Sequence, residues 1–151
     1  MKVTIGFVFL LFYLFFCGCN FGHSKPAGFP DKLFPCEIII LQEGVPLRGA
    51  YVVLFDRNAG KKNWGTSGIT GNKGAVKLYT YGRWQGAPAG VFKVTVLLRE
   101  VENAGGKSVI YTLVDEKFAV PETTPLELEI KGKTTQTFDV GKAIRKPLKD
   151  L

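Results

Sequence analysis

Histidine is almost absent from this chain: one residue, His23, occurs among 151. It falls in a stretch rich in Pro and Gly, where a solvated linker residue is the natural reading. No imidazole is then left in the rest of the chain to serve a Ser or Cys nucleophile, and no Gly-x-Ser-x-Gly elbow occurs. Cysteine is scarce too. The three residues are Cys17, Cys19 and Cys36, so the clustered Cys and His of a zinc site are missing. There is no Gly-x-x-x-x-Gly-Lys-Ser/Thr phosphate loop. Long amphipathic helical periodicity is lacking as well, which argues against a helical fold. No catalytic residue, cofactor or metal ligand is therefore expected, and a non-enzymatic protein is.

What is present is Gly 18 and Pro 8, with 46% hydrophobic residues. That composition suits short strands joined by turns. Without a leader, the length leaves one domain of roughly 100 to 130 residues. The formal charge of +7 could favour an anionic membrane or polymer surface. The lysines are scattered rather than striped along one face, so nucleic-acid binding is not expected.

The amino-terminal segment carries the strongest single signal. Lys2 gives a minimal positive end, and Ile5 to Phe16 is an almost unbroken apolar run. Its length suits a secretory hydrophobic region and falls short of the ~20 residues that a spanning helix needs. The run ends Phe16-Cys17-Gly18-Cys19, which resembles the lipobox of bacterial lipoproteins. That resemblance implies cleavage of residues 1–18 and lipidation at Cys19, with the membrane as partner through the lipid. Asn20, standing where Asp would retain the protein at the inner membrane, implies an outer-membrane location in the cell envelope. Two alternatives stay open: an uncleaved anchor helix, and a secreted protein with a Cys19–Cys36 disulfide.

Residues 19–35 read as a flexible tether, 36–140 as the folded domain and 141–151 as a basic, loose tail. Within the domain seven strands are expected: Cys36–Gln42, Ala50–Phe55, Ala75–Thr80, Val91–Leu98, Val109–Val114, Leu126–Lys131 and Gln136–Val140. The second follows a turn around Pro46 and Gly49, and its continuous apolar run suits burial on both faces. Asp56 to Gly71 reads as a loop with Trp64 in its middle. Arg99 to Ser108 reads as a polar excursion tipped by Gly105-Gly106. Clean alternation, such as Leu128 and Ile130 against Glu127 and Glu129, puts one face of each later strand in a core. The expected fold is all-β, an antiparallel seven-stranded β-sandwich.

Three stretches, in this order, resemble transthyretin-like or carboxypeptidase regulatory-like domains: VPLRGAYVVLF, TSGITGNKGAVKLYT and GAPAGVFKVTV. Gly71 stands where that family usually has Asp, which leaves the turn to Asn72 and Gly74. The end, KFAVPETTPLELEIKGKTTQTFDV, is similar to small lipoproteins of planctomycete-type bacteria. The resemblance implies a Greek-key sandwich acting as an interaction or structural module, with a protein or polysaccharide partner. The superfamily's hydrolase of 5-hydroxyisourate relies on histidines and a Tyr-Arg-Gly-Ser terminus. This chain ends Pro147-Leu148-Lys149-Asp150-Leu151, so that activity is not implied.

Two groups of side chains remain to be placed. Glu100 with Glu102 and Asp115 with Glu116 read as solvated surface charge. Trp64, Tyr81 and Trp84, with Tyr79 nearby, are large aromatics on or beside loops. They either stack on sugar rings, which makes a carbohydrate-binding module the alternative function, or pack over the end of the sandwich. Exposed, coplanar indoles would favour the first and buried indoles the second.

Overall fold

The computed structural model describes residues 24–58 and 64–148. Cys17, Cys19 and His23 lie outside the described residues. The described part is all-β, with a single 3-10 turn at Glu116–Phe118 and no α-helix.

Six strands make the largest sheet. They are β3 (Tyr51–Asp56), β4 (Thr66–Ile69), β6 (Tyr79–Thr80), β7 (Trp84–Gln85), β8 (Gly90–Leu97) and β11 (Glu127–Ile130). Their spatial order is β11-β8-β3-β4-β6-β7, antiparallel throughout. A second sheet is built on β1 (Cys36–Gln42). One edge of β1 pairs with β12 (Thr134–Asp139), and the other is shared by β2 (Val45–Pro46) and β5 (Ala75–Lys77). A third sheet has the order β13-β10-β9, from β9 (Arg99–Ala104), β10 (Lys107–Thr112) and β13 (Lys146–Pro147).

Period-two alternation explains the core. Ile38 and Ile40 of β1, Val52 and Leu54 of β3, and Val94 and Val96 of β8 are buried. With Leu128 and Ile130 of β11 they belong to one hydrophobic cluster that draws on both larger sheets. Burying a side chain of this size is worth about 1.5–3 kcal/mol, so this cluster supplies most of the force that holds the sheets together. The turn before β3 is tied in by Thr70. Its Oγ1 accepts the Ala50 N–H at 2.9 Å and donates to the Leu47 carbonyl at 2.6 Å.

Several expectations are corrected. The described residues form thirteen strands rather than seven. The β1–β12 ladder is parallel, register Cys36 with Thr134 through Leu41 with Asp139, so the sheets are not wholly antiparallel. The central strand β3 is buried on one face only. Tyr51 is exposed, with its hydroxyl donating to Ser67 Oγ at 3.1 Å, and Val53 and Phe55 are half-buried. The stretch read as loop contains β4, which β3 and β6 hold from either side.

The polar excursion is itself strand β9, closed on β10 through Gly105 (φ 58°) and Gly106 (φ 79°). Two positive φ angles in a two-residue connection give the turn that best matches strand twist. The turn at Gly71–Gly74 is closed by backbone hydrogen bonds: Gly71 N–H donates to Ala75 O and Gly74 N–H to Gly71 O, both at 2.9 Å. The basic end is not loose through Leu148. Lys146 and Pro147 pair with Thr112 and Tyr111, and Arg145 lies over the Tyr111 ring at 3.6 Å from its centroid. The stretch read as a tether joins the fold as well: Phe34 and Ala87 exchange backbone hydrogen bonds at 2.8 and 3.0 Å.

Candidate functional site

The site is assembled on the β6–β7 hairpin. Thr80 is buried at its base. Its Oγ1 donates to the Gly86 carbonyl at 2.8 Å and shares a hydrogen bond with Thr66 Oγ1 at 3.1 Å. With the base fixed, the three residues Tyr81-Gly82-Arg83 must reverse the chain. Tyr81 takes φ 51° and Gly82 φ 65°. A bulky side chain in the left-handed region is costly, and such strain persists only where surrounding structure enforces it. Here the Tyr81 N–H donates to the Trp64 carbonyl at 3.3 Å and the Arg83 N–H to Thr80 O at 3.2 Å.

The next residue that matters is Gly86 (φ 105°). A Cβ there would stand 2.6 Å from the Phe34 carbonyl oxygen, so glycine lets the amino-terminal segment pair alongside. That pairing brings Phe29 onto the hairpin. Its ring centroid lies 4.7 Å from Trp84, 5.7 Å from Trp64 and 6.4 Å from Tyr81. Tyr81 in turn lies 6.0 Å from Trp64 and 6.3 Å from Trp84, edge to face in both cases.

Trp64, Tyr81 and Trp84 are thus brought together, and Phe29 is the member that sequence reasoning missed. It sits in a stretch without periodicity, and nothing in its neighbours marks it as a packing residue. The rings do not form a flat platform. Phe29, Trp64 and Trp84 are half-buried, Tyr81 remains 39% exposed, and most pairs meet at steep angles. Tyr79 is exposed beside them on β6. A hollow of about 630 Å³ opens where Ser24, Lys25 and Arg83 flank Tyr81 and Trp84. A second, about 440 Å³, lies where Lys32, Phe34 and Asp56 flank Trp64. Lys25 Nζ sits 5.2 Å from the Phe29 centroid and Lys32 Nζ 4.9 Å from that of Phe34, distances at which a ring face attracts a cation.

No protein-family model and no curated protein matches the chain. Among solved structures, a 9R-lipoxygenase from Cyanothece PCC8801 is similar over 79% of this chain, at 18% identity and a TM-score of 0.37. The chain spans 18% of that structure's length. A likeness this weak carries no conclusion about fold or activity.

The carboxylate pairs singled out by the sequence, and several other charged groups, have structural partners. Glu100 and Glu102, on one face of β9, both bind Arg145, and Asp115 caps the 3-10 turn by accepting the Lys117 N–H. Their partner Arg145 is held above its usual range, first by the hydrogen bond from its guanidinium to Glu102. Glu127 bridges Lys93 at 2.8 Å and Arg57 at 3.1 Å, and the Lys93 hydrogen bond holds its carboxyl below the usual range. Cys36 is buried, and burial pushes its thiol up to about 11; a thiol so disposed is a poor nucleophile. Among the described residues no group of three His, Cys, Asp or Glu could hold a metal ion.

Proposed function

We propose that this chain is a non-enzymatic lipoprotein of the cell envelope. In this reading Cys19 carries the lipid and residues 36–140 form a transthyretin-like, carboxypeptidase regulatory-like β-sandwich that serves as an interaction or structural module at the outer membrane. The observation that carries it is the apolar run ending Gly18-Cys19, followed by strands whose inward residues share one core. The three resembling stretches support it further, because they supply β3 and β8 at the centre of the largest sheet and β2 and β5 along one edge of β1. Two or three acyl chains, at ~0.8 kcal/mol per buried CH₂, would hold such a domain firmly on a bilayer.

The test is an intact mass of the full-length chain made in a lipoprotein-processing bacterium, beside Cys19→Ser. A mass of residues 19–151 plus acyl chains, lost in the variant, is the expected result. An unacylated mass carrying a Cys19–Cys36 disulfide would sink the reading.

Carbohydrate binding is the second reading, favoured by the gathering of Trp64, Tyr81 and Trp84 beside polar side chains in two hollows. The rings spend much of their faces on one another and on Phe29, which weighs toward the first reading. Titration with envelope polysaccharides, followed by tryptophan emission, separates the two.

A further inference from the structure

Both tryptophans of the chain, Trp64 and Trp84, stand in the one aromatic cluster. The same end of the molecule receives the amino-terminal segment: Ser24 and Lys25 line the hollow beside Tyr81 and Trp84. Ser24 follows Cys19 by five positions. Even fully extended, that length reaches at most about 18 Å. A lipid on Cys19 would therefore keep this end within reach of the headgroups.

The chemistry at this end suits that position. Indole and phenol rings settle at the boundary between headgroups and hydrocarbon, where an apolar body and a polar tip are both satisfied. Lys25, Lys32 and Arg83 are exposed around the rings, where they can meet lipid phosphates. Asp56, which lines the second hollow, is turned to the Asn58 N–H at 2.8 Å. Tyr81 is also held in a strained left-handed turn, and it is among the most exposed aromatics of the described residues.

The geometry points to the Phe29–Trp64–Tyr81–Trp84 cluster, with Lys25 and Arg83, as a docking face for the bilayer surface that carries the anchor. The inference rests on the lipoprotein reading and deepens it. The lipid supplies the attachment, and the aromatic end then fixes how the domain stands, holding the β6–β7 hairpin down at the headgroups.

The test uses the purified full-length lipoprotein in vesicles of phosphatidylglycerol and phosphatidylethanolamine, with plain or brominated acyl chains. Since indoles seated at the interface lie beside the upper chain carbons, emission should fall roughly two-fold in brominated vesicles. Trp64→Phe and Trp84→Phe show which indole contributes. Lys25→Glu with Arg83→Glu should sediment with vesicles as before, yet lose a large part of the quenching. Quenching kept in full by that variant would overturn the phosphate contact. An acylated, sedimenting protein with equal emission in both vesicles would overturn the inference while leaving the anchoring intact. It would return the rings to internal packing or to a polysaccharide. An unacylated chain that stays in the supernatant would remove the anchor, and the inference with it.

Discussion

The Phe29 ring sits 4.7 Å from the Trp84 indole, centroid to centroid, at an interplanar angle of 55°. A residue from a stretch with no strand of its own is thereby fastened to a hairpin near the middle of the sequence. The contact follows from the Phe34–Ala87 bridge, which needs Gly86 to be bare of a side chain.

Removing the Phe29 ring should therefore free the segment ahead of Phe34 while leaving the sheets in place. Aromatic pairs of this kind contribute about 0.5–1.5 kcal/mol each beyond burial, and Phe29 meets three rings. In Phe29→Ala the tryptophan emission should move to longer wavelength, and proteolysis should cut sooner between residues 24 and 33. The urea midpoint should fall only slightly. An emission maximum identical to wild type would mean that Phe29 does not cover the indoles.

The part of this cluster that was legible in the sequence is the part that lies in regular alternation or carries a rare side chain. Trp64, Tyr81 and Trp84 stand out by size alone. Phe29 does not, because its neighbours Gly28 and Pro30 give the composition of a linker, and only the pairing of Phe34 shows that the segment docks. The same division runs through the fold. Val94 and Val96, like Leu128 and Ile130, announce a buried face by their spacing, and Gly105-Gly106 announces its turn. Thr66–Ile69 has no such pattern, since β4 exists by virtue of its neighbours on both sides. The parallel direction of β12 along β1 depends on how the chain returns over the core, a non-local choice that alternation cannot encode. Tyr111 and Arg145 illustrate the limit. Each looks like a surface residue alone, and together they pin the basic end to the third sheet.

Acid should loosen the place where the ends of β1 and β12 meet. Asp139 accepts the Gly141 N–H at 2.7 Å and the Gly44 N–H at 2.8 Å, and these bonds, Gly141 foremost, hold its carboxyl below the usual range. A depressed folded value contributes stability that is present above the unfolded carboxylate value of about 3.9 and lost as pH falls through the folded value. Asp139→Asn should thus be less stable than wild type at neutral pH, and the gap should close in strong acid. Urea unfolding at both ends of that range measures it. A gap of equal size at both would show that the charge of Asp139 plays no part.

Gly44 and Gly74 offer a controlled comparison, because they share a left-handed backbone and differ only in their surroundings. Their φ angles are 78° and 69°. A Cβ on Gly44 would meet nothing within 4 Å, whereas one on Gly74 would run into the Ile40 carbonyl oxygen and stand 3.1 Å from the Leu47 nitrogen. The left-handed region costs a side chain about 1–2 kcal/mol, so Gly44→Ala should lose roughly that much. Gly74→Ala bears the same cost, and the forced backbone shift adds about 1–3 kcal/mol more. The shift would fall on one edge of β1, where the Ile40 N–H donates to Gly74 O at 2.8 Å and the Leu47 N–H to Ile40 O at 2.9 Å. Both bonds should lengthen, so amide exchange at Ile40 and Leu47 should quicken in Gly74→Ala and stay unchanged in Gly44→Ala. Equal losses in the two variants would mean that the edge yields freely at Gly74 and that conformation alone selects glycine there.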